Sequence, residues 1–276
     1  MTYRQICAIL REAGVPDPET DGRILVEEAM GLSPAQFFLR REEDFACDTL
    51  TEWVERRRLR EPLQYILGKW SFMGFDFHVS PSCLIPRSDT ELLVETALKH
   101  LPQGGVFADL CTGSGCIALS LLKLRPDTRA LCVDLSPEAL SMAEKNAESL
   151  GVSHRVTFLR GDVSRDLFEG QSPFDLIVTN PPYVPTEDLS DTKPELSFEP
   201  LMALDGGEDG LDLIRPILRH YPKHVKRGGK LLVEFGYQSG ALISEAAEEA
   251  LLRGDLSAHE IVKDLSGNDR MLLATV

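Results

Sequence analysis

The chain has 276 residues, 43% of them hydrophobic and 26% charged, enough apolar sequence for one large domain or for a large and a small one. Glycine and proline number 21 and 17, ordinary for a soluble globular protein, which excludes collagen-like and low-complexity classes. With 29 basic against 44 acidic residues the net charge is −15, so a local patch could still bind nucleic acid but global attraction to phosphate is excluded.

The N-terminal sequence lacks the continuous apolar run of a signal peptide, and no stretch approaches the roughly 18 uncharged residues of a membrane span. Cys7, Cys47, Cys83, Cys111, Cys116 and Cys132 form no C-x-x-C pair. Free thiols in a cytoplasmic protein with no membrane contact are therefore expected. His220 and His224 stand four apart, but Pro222 intervenes and no third ligand is evident, so no metal site is expected.

In chain order, Tyr3 to Ala13 carries Ile6, Ile9 and Leu10 at helical spacing before Gly14. Ile24, Leu25 and Met30 mark a second helix ended by Gly31, and Leu50 to Arg60 a third. Arg56, Arg57, Arg58 and Arg60 form the basic cluster of the chain. A solvated helix face is the favoured reading, ahead of a contact surface for an acidic partner. Residues 69–72 and 75–79 alternate around Met73-Gly74, the pattern of a β-hairpin. Ser88 and Glu91 then have capping-box spacing at the start of an apolar-periodic helix.

From residue 105 strands and helices alternate. Predicted strands are Val106–Leu110, Ala130–Val133, Val156–Leu159, Phe174–Thr179 and Lys230–Phe235, with His259–Val262 and Met271–Val276 as a terminal pair. Predicted helices run to Leu124, over Pro137–Leu150 and over Ala241–Leu252. This is an α/β pattern, a doubly wound, mostly parallel seven-stranded sheet preceded by a small helical domain. Ligands of such sheets sit beyond the carboxyl ends of the strands, where Asp109, Asp134, Asp162 and Asn180 fall.

Gly113-Ser114-Gly115-Cys116-Ile117-Ala118 matches G-x-G-x-x-A after a strand, which makes a nicotinamide dinucleotide a rival ligand. The acids argue against it. A pyrophosphate about 5 Å from a like charge costs several kcal/mol, scaled down by exposure. S-adenosylmethionine is cationic and carries no phosphate, so Asp109, Asp134 and Asp162 attract it. Asp134 can take the ribose hydroxyls and Asp162 the adenine amine. Each acid alone reads equally well as a turn residue at a strand end; the three together favour a methyl-donor site.

Asn180-Pro181-Pro182-Tyr183 closes an apolar strand. It is a rigid turn on conformational grounds alone, since the prolines restrict φ and push Asn180 to extended geometry. Beside a methyl-donor site it has a chemical use. An amide or aromatic amine attacks a sulfonium poorly, and two fixed acceptors, the Asn180 side-chain oxygen and the Pro181 carbonyl, can hold both its N–H bonds and aim its lone pair. Tyr183 can stack on the planar group.

These segments resemble HemK/PrmC, the peptide chain release factor glutamine methyltransferases of the class I S-adenosylmethionine-dependent superfamily. The resemblance runs nearly end to end: Glu61-Pro62-Leu63-Gln64-Tyr65-Ile66-Leu67-Gly68, Ile85-Pro86-Arg87-Ser88-Asp89-Thr90-Glu91, Asp109 to Gly115, Asn180 to Tyr183, Glu199-Pro200, and Gly206-Gly207 with Asp209-Gly210-Leu211. It implies a Rossmann-like enzyme that methylates N5 of the glutamine in the Gly-Gly-Gln loop of class 1 release factors, modulating translation termination.

By position, the resemblance implies that Asp109 and the loop Cys111, Thr112, Gly113, Ser114, Gly115 hold the donor and its demethylated product S-adenosylhomocysteine. It likewise puts Asp134 on the ribose, Asp162 and Val163 around the adenine, and Asn180 at the donor as well. Asn180, Pro181, Pro182 and Tyr183 would bind the glutamine, with Asn180, Pro181 and Tyr183 catalytic. The implied domains are 1–68, which binds the release factor, 69–87 as a hairpin linker, and 88–276 as the methyltransferase, acting as a monomer without direct nucleic-acid contact. Cys111 stands where the family often has glycine, Val163 where some members have a large aromatic, and Ser88 replaces a frequent proline. Two other substrates fit the same chemistry. One is a ribosomal-protein glutamine; the other is a nucleic-acid adenine, disfavoured by the acidic segment Glu187, Asp188, Asp191, Glu195, Glu199. A non-catalytic binding module is disfavoured by the presence of Asn180 and the glycine loop.

Overall fold

The computed structural model describes residues 1–191 and 193–276; the side chain of Asp191, counted above in the acidic segment, lies outside the described residues. The chain divides into two compact units, Met1–Lys69 with Lys193–Phe198 and Trp70–Thr192 with Glu199–Val276.

The first unit is helical: α1 (Tyr3–Glu12), α2 (Pro18–Met30), α3 (Pro34–Arg40), α4 (Asp48–Arg58) and α5 (Leu63–Leu67). Local signals start and stop these helices. The Thr2 side chain accepts from the Gln5 N–H while Gln5 reaches back to Thr2, Pro18 sits in the first turn of α2, and Gly31 ends it in the left-handed region at φ 63°. Ile6, Leu10, Leu25, Val26, Leu50 and Val54 are buried between α1, α2 and α4. Helices α3 and α5 are not anticipated above, because seven and five residues are too short to show periodicity. The Ser33–Gln36 capping box was the available signal for α3.

Of the arginine cluster, Arg58 stands on a solvated face and Arg57 does not. Arg57 is 5% exposed; its Nε donates to Asp21 at 2.7 Å, and its Nη2 donates to Glu195 at 3.0 Å. Arg60 donates to both oxygens of Glu195, Arg56 pairs with Glu61 and Arg58 with Glu55. Burial alone would raise Glu195, yet Arg60 and Arg57 hold it at about 2. These four charges are absorbed within the unit rather than offered to a partner.

The second unit opens with the hairpin β1 (Lys69–Phe72) and β2 (Phe75–His78). Met73 and Gly74 both have positive φ, the geometry of a tight turn matched to strand twist. Beyond linking, the hairpin contributes Phe72 and Phe77 to the core of this unit. Helix α6 (Glu91–His100) follows a short turn at Ser88–Thr90. The expected Ser88–Glu91 capping box does not form: Thr90 is the cap residue, without a side-chain cap bond, and the Glu91 carboxylate accepts instead from the Met73 N–H at 2.7 Å.

The remaining elements are β3 (Val106–Leu110), α7 (Cys116–Leu124), β4 (Arg129–Asp134), α8 (Pro137–Ser149), β5 (Val156–Arg160), β6 (Phe174–Thr179), α9 (Ile214–His220), β7 (Val225–Glu234), α10 (Gly240–Arg253), β8 (Ala258–Lys263) and β9 (Asp269–Thr275). The strands form one seven-stranded sheet in the order β5-β4-β3-β6-β7-β9-β8. Pairing is parallel from β5 through β7 and antiparallel on both sides of β9. One core packs the hairpin, α6 and α7 on the sheet, and a second packs α9 and α10. Order reverses between β3 and β6, because the chain runs outward from β3 to β5 and returns on the other side of β3. A crevice opens at such a reversal, at the carboxyl ends of the strands.

No helix among the described residues is long and apolar enough to cross a membrane, and none of the six cysteines is in a disulfide. His224 pairs with Asp166 at 2.6 Å.

Candidate active site

A cavity open to solvent lies at that reversal. Of the residues proposed from sequence, Cys111, Thr112, Gly113, Ser114, Asp134, Asp162, Val163, Asn180 and Pro182 line it. Asp109, Gly115, Pro181 and Tyr183 do not.

The loop from Cys111 to Gly115 joins β3 to α7. Its first residue, Cys111, takes φ 58°, the left-handed region that disfavours a Cβ. The loop is held from outside. The Thr112 N–H donates to the Val133 carbonyl at 3.0 Å. Asn146 of α8, fully buried, donates Nδ2 to the Ser114 carbonyl at 2.9 Å and to the His78 carbonyl at 3.0 Å, and its oxygen accepts from the His78 N–H. One amide thus ties the hairpin to the loop.

Asp109 lies beneath the cavity wall and not on it. Its side chain is fully buried under the loop, where Oδ2 accepts from the Thr112 hydroxyl at 2.7 Å and from the Ala118 N–H at 3.3 Å. It caps the first turn of α7 from a distance and braces the loop. Burial pushes this carboxyl up to about 7, against the two hydrogen bonds that lower it. Through Oδ2 it shapes the site from beneath, while Oδ1 has no hydrogen-bond partner among the described residues.

Asp134 and Asp162 do face the cavity. Asp134 accepts from the Gly113 N–H at 2.8 Å and from the Ser136 N–H at 3.0 Å, each on a different oxygen, so each oxygen keeps a lone pair. Burial raises Asp134 despite these bonds. Asp162 is half-exposed and held low by the Ser164 bond. Arg87 also lines the cavity, but its guanidinium is paired with buried Glu199, which also accepts from the Ile85 N–H. The wall therefore carries two carboxylates and one already neutralised cation. Val163 and Leu213 supply an apolar side.

The corner after β6 is built for rigidity. The two prolines are buried, and the backbone of Tyr183 is gripped by a glycine turn. A Cβ on Gly206 would sit 2.7 Å from Tyr183 Cα, and one on Gly210 would sit 2.4 Å from the Tyr183 carbonyl oxygen, so only glycine admits this approach. Asn180 donates Nδ2 to the Thr90 hydroxyl at 3.2 Å, and Thr90 in turn donates to Glu234 at 3.2 Å. The Tyr183 hydroxyl donates to the same Glu234 oxygen at 3.5 Å, and Tyr183 is not among the residues lining the cavity. Burial and the neighbouring Glu234 carboxyl push the phenol up, and it keeps its proton. Thr90 and Glu234 are missed by sequence reasoning. The only available signal for Thr90 was its place in the Ile-Pro-Arg-Ser-Asp-Thr-Glu segment.

The donor set fits a cationic, phosphate-free ligand: carboxylates with free lone pairs, an apolar flank and the start of α7 on one cavity. Comparison with known proteins agrees. Residues 2–68 match the PrmC N-terminal domain and residues 88–194 the methyltransferase small domain. A release factor glutamine methyltransferase of Geobacter sulfurreducens is 45% identical, covering 82% of this chain and 80% of the relative. Its counterpart in Moorella thermoacetica is 38% identical over 99% and 98%. A methyltransferase of Pyrococcus furiosus, 16% identical with a TM-score of 0.54, covers 74% of this chain and 90% of that one and shares the fold. The chain belongs to the release factor glutamine methyltransferase family, enzymes that draw their methyl group from S-adenosylmethionine.

Proposed function

We propose that this chain methylates N5 of the glutamine in the Gly-Gly-Gln loop of class 1 peptide chain release factors, as a single copy in the cytoplasm and without contacting nucleic acid or membrane. The observation that supports this best is the Asn180 amide, held at the wall of a cavity whose other polar groups suit a sulfonium ligand. Relatives named for the same reaction span nearly the whole chain.

S-adenosylmethionine, when bound, supplies an electrophilic methyl group on a positively charged sulfur. The chain's residues bind and orient. The Cys111–Gly115 loop holds the amino-acid end, Asp134 accepts from the ribose hydroxyls, and Asp162 accepts from the adenine amine beside Val163. Asn180 Oδ1 accepts one N–H of the substrate amide, and the Pro181 carbonyl, one residue on in the same turn, accepts the other. Pro182 stiffens the turn. Tyr183 acts from behind, as a brace between Glu234 and the glycine turn, in place of the stacking role expected from sequence. With both N–H bonds held, the amide lone pair has one direction left to point, which is catalysis by positioning. No strongly basic side chain is required, because the proton can leave after transfer. The helical unit formed by residues 1–69 is assigned to gripping the folded release factor.

Intact-mass analysis and peptide mapping of a purified class 1 release factor, after incubation with enzyme and donor, tests the assignment. One methyl group on the Gly-Gly-Gln glutamine is expected. Methylation of a ribosomal-protein glutamine or of adenine in its place would overturn the substrate. Asn180→Ala should lower kcat by about 10²–10³, the loss typical of one preorganised polar group, and change donor affinity less. Asn180→Asp should bind donor tightly and turn over poorly, and near-normal turnover in both variants would remove Asn180 from the reaction.

A further inference from the structure

We propose that Thr90 and Glu234 are positioning residues for Asn180, fixing which end of its amide faces the donor cavity. The inference rests on the role given to Asn180 above.

A carboxamide has two ends of nearly equal size, so packing alone cannot choose between them; hydrogen-bond partners must. At Asn180 the choice is made by a chain of two bonds. Thr90, 2% exposed, has one hydroxyl proton, and Glu234 Oε1 accepts it at 3.2 Å. With its proton committed, the Thr90 oxygen can only accept, and the neighbour it accepts from at 3.2 Å is Asn180 Nδ2. Turning the amide over would set Asn180 Oδ1 against the Thr90 oxygen, two acceptors face to face in a buried place. The amide oxygen is thereby left for the cavity side, where an acceptor is needed to hold the substrate N–H.

Glu234 is a strange residue to find here without such a task. It is 1% exposed, and its second oxygen has no hydrogen-bond partner among the described residues. Around it stand Thr90, the Tyr183 hydroxyl, and the opposed charges Arg270 and Asp89. Arg270 is itself divided between Asp89 at 3.3 Å and Asp264 at 3.1 Å. Burial pushes Glu234 up to about 7, against the bond from Thr90 that lowers it. Protonation of the unpartnered oxygen leaves Oε1 an acceptor, so the direction of the chain survives either charge state. Both residues lie far from Asn180 in sequence, 90 and 54 positions away, and meet it only in the fold.

The test separates this inference from the reading beneath it. Steady-state kcat and KM for the release factor, and calorimetric donor Kd, are measured for Thr90→Val, Thr90→Ser, Glu234→Gln and Asn180→Ala, with melting curves for each. Thr90→Val keeps the shape and deletes the hydroxyl; kcat should fall about tenfold to a hundredfold, with donor Kd within about threefold. Thr90→Ser should restore most of the rate. Glu234→Gln, whose amide can donate to Thr90 and free the hydroxyl proton, should lower kcat severalfold without changing donor Kd. In an Asn180→Ala background, Thr90→Val should cause little further loss, since the group it positions is gone. If Asn180→Ala turns over normally, the functional reading falls and takes the inference with it. If Asn180→Ala is slow while folded Thr90→Val and Glu234→Gln stay within twofold of wild type, the function stands and the inference fails. Full additivity of Thr90→Val with Asn180→Ala, or a Thr90→Val defect confined to donor Kd, would overturn it equally.

Discussion

Asp109→Asn probes the position at which sequence and structure assign one residue different duties. If Asp109 attracted the sulfonium, neutralising it would weaken donor binding. The structure puts it instead under the loop, fully buried, bonded to the Thr112 hydroxyl and the Ala118 N–H. Burial raises its carboxyl to about 7 in the folded protein, whereas an unfolded aspartate titrates near 4. Between these values the unfolded chain has released the proton and the folded one still holds it. Stability therefore falls as pH rises through this window. From pH 5 to pH 8 the loss from this one group is about 2–3 kcal/mol, at 1.36 kcal/mol per pH unit. Asparagine never ionises, so the variant lacks that loss, whatever fixed amount its buried NH₂ adds at every pH. Glu234, also raised, titrates in both proteins and cancels in the difference. Urea unfolding followed by circular dichroism at pH 5 and pH 8 should show the variant gaining on wild type by about 2–3 kcal/mol across the interval. Donor Kd at pH 8 should stay within about threefold. A stability difference that does not vary with pH, or a large loss of donor affinity in a folded variant, would refute the reasoning.

Arg57→Met should cost the helical unit about 3 kcal/mol, because it strands Asp21 and leaves Glu195 with Arg60 alone; a lowered melting temperature, with no partner added, is the measurement. Glu195 is held at about 2, so the stability it contributes is present above its unfolded value near 4.5 and lost as pH falls from there toward 2, and an acid titration of wild type against Arg60→Met, which removes both Arg60 bonds to Glu195, should show that component shrink. Cys111→Gly should leave stability within about 1 kcal/mol of wild type, since relief of the left-handed backbone offsets lost packing, and donor Kd should be unchanged. Cys111→Val, β-branched at φ 58°, should melt lower and bind donor more weakly; equal behaviour of the two variants would mean the backbone geometry at Cys111 is not strained.

Much of the donor side was legible in the sequence. Buried parallel strands are continuous apolar runs, and the residue at each strand's carboxyl end is its covalent neighbour, so Asp134, Asp162, Asn180 and the loop of Cys111 to Gly115 could be set on one edge before any packing was known. The family resemblance and the hairpin turn at Met73-Gly74 were likewise written in contiguous residues. What the sequence could not determine is where each charge and amide finds its partner. Asp109 stands at a strand end like the other two acids, but Thr112 and Ala118 draw it under the loop. The four arginines look like a basic patch until Asp21 and Glu195 close on Arg57. Strand β9 inserts between β7 and β8, and Asn180 meets Thr90 and Glu234, through contacts between residues far apart in the chain. Helix caps, turns and strand runs arise from neighbours along the backbone and are encoded locally. The partner of a buried polar group is set by which distant element packs against it, and that choice exists only once the chain has folded.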